Sequence, residues 1–267
     1  MNLKPITFQH RLFSLISGIL LACLAVMSAA AQSATDTQAA QDFSRMLSAI
    51  DARISFKDSD FSARVRMVSE EPQKAIDTKT VQMMRRDKDD KFLMLILQPE
   101  NQLGQGYLRV EDNLWFYDPE SRKFTHSSMK ENFQGTNAKN SDFGTSTLAR
   151  DYLVSTSNSG KLGNYEVWIL ELAATNNEVS YPFKKLWVTK KDGLLLKSED
   201  YSLTKRLLRT AYYASYAKLG ENFVADKSIF VDALVAGKKT TLSLSDISLK
   251  AIPDSVFSKA YVEKVNH

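Results

Sequence analysis

Tyr107-Leu108-Arg109-Val110-Glu111-Asp112-Asn113-Leu114-Trp115-Phe116-Tyr117-Asp118-Pro119 is the stretch whose reading decides the fold. Gly106 to Glu111 and Leu114 to Tyr117 are rich in the aromatic and aliphatic residues that favour extended backbone, and a charged, Asn-containing turn separates them. The pair reads as a β-hairpin. Leu114-Trp115-Phe116-Tyr117 places large apolar rings on both faces of one strand, so neither face is expected to be wholly wet.

Working outward, strand signals recur on both sides. Upstream, Phe61, Ala63, Val65 and Met67 alternate with Ser62, Arg64 and Arg66, the period-two pattern of a half-buried strand. Lys79 to Arg86, Phe92 to Gln98 and, after the hairpin, Lys123 to Ser127 continue an antiparallel meander. Downstream candidates are Tyr165 to Ala173, Phe183 to Lys190, Leu194 to Tyr201, Leu207 to Lys218, Phe223 to Val235 and Thr240 to Lys250. Lys191-Asp192-Gly193 and Ala236-Gly237-Lys238 supply the Gly that tight hairpin loops require. The reading gives roughly eleven to twelve strands. Phe43, Met46, Leu47 and Ile50 recur at helical spacing ahead of them, and Pro253-Asp254-Ser255 starts a short capped helix near the end. Asn132 to Gly160 breaks the rhythm with Gly, Asn and Ser before a short helical pattern at Leu148, Tyr152 and Leu153. An irregular insertion of that length is usually functional, and it reads as a lid.

Composition sets the class. The 267 residues are 43% apolar and 25% charged, with 10 Gly, 6 Pro and a single Cys, which excludes disordered, collagenous and disulfide-scaffold chains. Residues 1–31 read as a secretory signal: Lys4 and Arg11, an apolar run from Leu12 to Met27, then Ser28-Ala29-Ala30-Ala31 for cleavage. That run is shorter than the roughly 20 residues of a spanning helix. Leu20-Leu21-Ala22-Cys23 offers the minor alternative of a lipid anchor on Cys23. Residues 32–267 then form one domain, with the lid around 132–160. Lys plus Arg is 35 against 31 acids, or 33 against 31 without the leader, too balanced for a nucleic-acid partner.

The chemistry of catalysis is thin. Beyond the leader there are two His, His126 and His267, and no Cys, so no metal site or cofactor is expected. Ser127-Ser128-Met129-Lys130 and Asp142-Phe143-Gly144 match an S-x-x-K and a kinase triplet without the companion motifs. The acidic pairs Glu70-Glu71, Asp89-Asp90 and Glu199-Asp200 lie near proposed strand ends, where solvated charge is the ordinary expectation. No catalytic residue is nominated, and the chain does not read as an enzyme.

The remaining signal is apolar. Phe92-Leu93-Met94-Leu95-Ile96-Leu97 is uninterrupted, and Met83, Met94, Trp115, Tyr117, Trp168 and Trp187 cluster in strands. A packed sandwich core explains this, and so does one curved sheet wrapped around helices or a ligand, since Met and aromatic surfaces adapt to flexible chains.

Tyr107 to Pro119, centred on Leu114-Trp115-Phe116-Tyr117-Asp118-Pro119, resembles the most recognisable hairpin of the outer-membrane lipoprotein-sorting proteins, the LolA/LolB-like family. The order of leader, amphipathic helix, strands, irregular insertion and terminal Pro253-Asp254-Ser255-Val256-Phe257 is similar as well. The resemblance implies a mainly β fold, an incomplete antiparallel β-barrel whose hydrophobic cavity is covered by helices. It implies a periplasmic carrier of lipoprotein acyl chains or other lipids, which receives cargo from an inner-membrane ATP-driven extraction complex and passes it to an outer-membrane acceptor. It also implies an Arg at a strand end that pins the lid, in the place of Arg85 or Arg86; the Pro that follows that Arg in the carriers is replaced here by Asp87 and Lys88. The cavity is then expected to draw on Phe43, Leu47, Met83, Phe92, Met94, Leu95, Ile96, Trp115, Tyr117, Trp168 and Trp187. A membrane-anchored acceptor or a lipid sensor of the same fold is the alternative, and a hydrolase using Ser127 a more distant one.

Overall fold

The computed structural model describes residues 42–265; residues 1–31, expected to be a leader, with Cys23 among them, and His267 lie outside them. Helix α1 (residues 42–53) precedes the sheet. Then come β1 (Phe61–Glu70), β2 (Asp77–Arg86), β3 (Lys91–Gln98), β4 (Gly106–Val110), β5 (Asn113–Asp118) and β6 (Lys123–Ser127). After an irregular link and the one-turn helix α2 (Leu148–Asp151) follow β7 (Tyr152–Leu162), β8 (Tyr165–Ala174), β9 (Phe183–Thr189) and β10 (Leu195–Tyr201). The chain continues through β11 (Leu207–Leu219), β12 (Asn222–Asp232) and β13 (Lys239–Ser248) to α3 (Lys259–Lys264).

All thirteen strands form one antiparallel sheet in the order β6-β5-β4-β3-β2-β1-β13-β12-β11-β10-β9-β8-β7. The β1–β13 pairing joins the two halves of the meander, with Val65 opposite Leu244 and Glu70 opposite Lys239. The sheet does not close. Its two edges, β6 and β7, are neighbours in sequence, and the protein is an incomplete antiparallel barrel. The thirteenth strand is the one that sequence reading places inside the insertion. Residues 152–162 carry Ser155, Thr156, Ser157, Asn158 and Ser159 in succession, a polar run without an apolar face, because β7 is an edge strand that pairs only with β8. The irregular link therefore ends at Asp151.

The uninterrupted run in β3 is explained by two covers. Met83, Met94, Tyr107 and Phe116 are successive cross-strand partners on one face, and Phe92, Met94 and Ile96 belong to the inner core. On the other face Leu93 and Leu95 pack with Leu108 and Tyr117 under Val256, Phe257 and Val262 of the C-terminal segment. Gly106 makes room there, since a Cβ would come within 2.8 Å of Leu95 Cδ2.

Arg86 at the end of β2 ties that segment down. Its Nε and Nη2 donate to the two oxygens of Asp60 at 2.7 and 2.9 Å, and it also bonds Asp254 and the Ile252 carbonyl. Asp60 accepts the Ile252 N–H at 2.6 Å. The Arg86 hydrogen bond, helped by the Ile252 amide, holds the Asp60 carboxyl below its usual 3.8 despite its burial. A depressed folded-state pKa stabilises the fold above the unfolded value, and the gain is lost as pH falls through the folded value. Asp60→Asn should therefore lower stability at pH 7 and flatten the acid limb of a stability-versus-pH curve below about pH 4. Leu93→Ala, at a fully buried outer-face position, should cost about 2–5 kcal/mol in denaturant unfolding.

Candidate functional site

The concave face of the sheet holds two apolar clusters. One gathers Phe61, Val65, Met83, Phe92, Met94 and Ile96 of β1–β3 with Phe230 and Leu242 of β12 and β13, and into it reach Phe133, Ala138 and Phe143 of the β6–β7 link. The other gathers Leu170, Leu172, Leu186, Val188 and Leu195 of β8–β10 around Leu47 and Ile50 of α1. Tyr213 packs against both. Between them lies a cavity of about 950 Å³, at the upper end of the usual range for ligand sites. Val65, Met83, Leu186, Leu195, Leu242 and Leu244 form its sheet wall, and Phe143, Gly144 and Leu148 of the link close the opposite side.

The link joins strands at opposite edges of the sheet, so it has to run across the hollow. It does so in two 3₁₀ turns, Phe133–Gly135 and Asn140–Phe143, with Phe133 and Asn140 almost wholly buried. Four elements hold it. Arg209 of β11 donates to Asp142 through Nη1 and Nη2, at 2.5 and 3.1 Å, and to the Asn137 carbonyl at 3.2 Å. The Asn137 N–H donates to Thr240 Oγ1 of β13 at 2.9 Å. Asp51 of α1 accepts the Leu148 and Ala149 N–H groups at 3.0 and 2.9 Å, capping α2. Arg85 of β2 donates to the Gly144 carbonyl at 3.4 Å.

Arg209 is the centre of a buried charge chain. Its Nε donates to Asp200 at 2.8 Å, and Asp200 in turn accepts from Lys184 at 2.5 Å. The guanidinium lies over the rings of Tyr181 and Phe230. Burial pushes the Asp200 carboxyl up, but Lys184 and Arg209 outweigh it and hold it below the carboxylate range. Burial works against the charged Arg209, and Asp142 and Asp200 keep it protonated. Burial also raises Tyr152 and Tyr181, so both stay neutral; the Tyr152 hydroxyl donates to the Tyr181 carbonyl at 2.8 Å.

A family model described as "Uncharacterized protein" matches residues 88–264. No curated protein matches the chain. Among solved structures, a LolA superfamily protein from Nitrosomonas europaea is 25% identical with a TM-score of 0.71, over 83% of this chain and 98% of that one. A domain assigned to outer membrane lipoprotein sorting from Vibrio parahaemolyticus is 22% identical with a TM-score of 0.76, over 84% and 99%. A DUF1329 family protein from Desulfovibrio piger is 17% identical with a TM-score of 0.74, over 84% and 98%. The chain belongs to the family whose model spans residues 88–264, and its fold is that of the LolA superfamily structures.

In this LolA-like protein the residues expected to form the cavity divide by face. Met83 lines it directly. Phe92, Met94 and Ile96 stand on the same inner face, Leu47 packs beneath α1, and Trp168 flanks the same cluster. Phe43 lies on α1, four residues before Leu47. Four others face outward. Leu95 and Tyr117 are under the C-terminal segment. Trp115 pairs with Leu108 and His126 on that outer face, beneath Lys259. Trp187 carries Lys197 on its ring, 4.2 Å from the centroid, and its partners Ile169 and Lys197 lie on the face opposite Leu186 and Val188. Alternation fixes that neighbours point apart; which side is the hollow depends on the covers.

The pinning residues divide too. Arg85 reaches the link at Gly144, while the bonds of Arg86 go to Asp60, Ile252 and Asp254. The main clasp, Arg209 with Asp142, escapes sequence reading because its halves are 67 positions apart. Asp200, expected to be a solvated strand-end acid, is wholly buried. Asp142-Phe143-Gly144 has a role unlike the kinase triplet: a clasp, a core ring and a glycine whose Cβ would press on Arg109 and Met129 at 3.3 Å. Ser127 donates to Glu131 at 2.7 Å, and the His126 ring lies tilted against Trp115. Among the described residues no His/Cys/Asp/Glu group could hold a metal, and no helix is long and apolar enough to cross a membrane.

Asp142→Asn keeps the size of the clasp and removes its charge. It should speed hydrogen exchange of amides in residues 133–143 by about tenfold or more, leaving β2 and β3 protected; unchanged exchange in the link would show that Asp142 does not hold it.

Proposed function

We propose that this LolA-like protein is a periplasmic carrier that binds the acyl chains of lipoproteins, or of other lipids, in the cavity between sheet and link. It releases them towards the outer membrane and catalyses no reaction. The observation that carries the reading is the hollow itself: a sheet wall on which Val65, Met83, Leu186, Leu195, Leu242 and Leu244 lie beside Arg85, Lys184 and Arg209, faced by an irregular link that sends Phe133 and Phe143 into the adjoining core. A sixteen-carbon chain brings about 12 kcal/mol of burial at about 0.8 kcal/mol per CH₂. A rigid pocket offering all of it would hold cargo too tightly to pass on. Here loading has to displace buried rings and strain the Arg209–Asp142 clasp, and that cost offsets part of the gain.

On this reading an inner-membrane ATP-driven complex supplies the cargo and an outer-membrane acceptor takes it. Residues 1–31 are the export signal, residues 32–267 the carrier domain, and the insertion from 132 to Asp151 its lid. Met83, Phe92, Met94, Ile96, Leu47 and Trp168 contribute to the acyl site, with Phe43 on the same helix. Arg85 assists the clasp.

Leu242 is buried on the inner face of β13 and lines the cavity. Leu242→Arg places a charge where the chain would lie. In titrations of the purified protein with a fluorescent fatty acid, the parent should bind and the variant should lose at least tenfold in affinity. Native mass spectrometry of protein drawn from the envelope should show a co-purifying lipid. A parent that binds no probe and carries no lipid would falsify the carrier reading.

A further inference from the structure

The wall of the cavity is not apolar throughout. Arg209, Ala211 and Tyr213 alternate along the inner face of β11, and their cross-strand partners share that face: Asp200 and Ser198 on β10, Phe230 and Ser228 on β12. Ser198 and Ser228 are 2% and 6% exposed, and both line the cavity with Tyr213. Three hydroxyls thus stand on adjacent strands, where facing and diagonal side chains lie about 5 to 8 Å apart. They mark the seam between the two apolar clusters, since Tyr213 packs against both.

A wall built only for hydrocarbon has no use for these groups. Ala211, Phe230 and Leu242 beside them on the same face are apolar. Among the described residues nothing donates to or accepts from the Ser228 hydroxyl, which opens on the cavity. Ser198 is the hydrogen-bonding neighbour of the Tyr213 hydroxyl; a serine and a phenol hold two hydrogens and use one between them, so the pair keeps a donor to spare. Burial and the nearby Asp142 carboxylate keep the phenol protonated. An alkyl chain laid over the strip would remove its water and return no hydrogen bond.

The ligand that suits such a wall carries an acceptor part-way along its length, with hydrocarbon on either side for the two clusters. The acceptor has to be uncharged. Arg209 and Lys184, the cations beside the strip, are taken up by Asp142 and Asp200, so the group has no net positive charge to receive an anion.

We propose that Ser198, Tyr213 and Ser228 form a subsite for the carbonyl of an ester or amide linkage, so that the cavity prefers acyl chains joined to a backbone over bare hydrocarbon of equal length. The inference rests on the carrier reading and adds which part of the cargo the hollow recognises. A chain held by burial alone is free to slide, whereas a hydrogen-bonded linkage fixes how far each arm runs into its lobe.

The test uses protein produced from the full-length sequence and two soluble lipids that differ only in linkage, dihexanoyl-phosphatidylcholine and its di-O-hexyl ether analogue, each titrated against a bound fluorescent fatty acid. The parent should release the probe to the diester at about tenfold lower concentration than to the diether, as one or two neutral hydrogen bonds provide. Ser228→Ala combined with Tyr213→Phe should bring the two lipids within about twofold of each other. Phe keeps the ring that packs on both clusters, and circular dichroism checks the fold. With diester isotope-labelled at its carbonyls, the infrared carbonyl stretch should move to lower frequency on binding to the parent and stay unshifted with the double variant. Equal affinity of the parent for diester and diether, failure of both lipids to displace a bound probe, or a preference that survives in the double variant would overturn the subsite and leave the cavity reading standing. A parent that binds neither probe nor lipid would remove both.

Discussion

A sheet that stops short of closing leaves a hollow that nothing in its own strands can fill. In this protein the two free edges, β6 and β7, are consecutive in the chain, and a link between them has no path except across the opening. The remaining architecture answers that constraint. The link carries Phe133 and Phe143 into the inner core, α1 brings Leu47 and Ile50 to the other half, and the space left between them is the cavity. The cover and the gap it guards are thus one feature of the topology.

Holding such a cover is an electrostatic problem. The link is short of regular structure, so its backbone groups need partners from elsewhere, and they come from α1, β2, β11 and β13 together. Arg209 does most: a planar guanidinium can bind Asp142 with two nitrogens, keep Asp200 on its remaining edge and stack on aromatic rings at the same time. Lys184 on the far side of Asp200 keeps that carboxylate compensated. A clasp built of paired charges is strong when every member is engaged and weakens sharply once one is drawn away, a behaviour that fits the proposed carrier role.

The outer face follows different rules. Most antiparallel sheets leave it to solvent, and on β8–β11 it is a ladder of Lys and aromatic side chains around Trp187. Over β3–β5 the C-terminal segment covers it, fixed by Arg86 and Asp60. The neighbouring arginines of β2 therefore serve opposite faces: Arg85 reaches inward to the link and Arg86 holds the outer cover.

Twelve of the thirteen strands were legible in the sequence because alternating or β-rich runs ended in turn residues, as in Phe61 to Met67 and the Asp192-Gly193 turn. Tyr152 to Leu162 was not, since only Tyr152 and Val154 at its start pack on the inner cluster and the polar run from Ser155 to Ser159 along this edge strand has no apolar period to betray it. Residue order alone likewise determined that the chain is mainly β, carries an irregular insertion after β6 and resembles the lipoprotein-sorting proteins. Only the tertiary structure decided which face of each strand was the hollow, turning Leu95, Trp115, Tyr117 and Trp187 outward and bringing Leu242 and Leu244 in. It alone joined Arg209 to Asp142. The reason is physical: backbone period and turn chemistry act between neighbours in the chain, whereas the sidedness of a sheet and the pairing of buried charges depend on what distant segments come to cover.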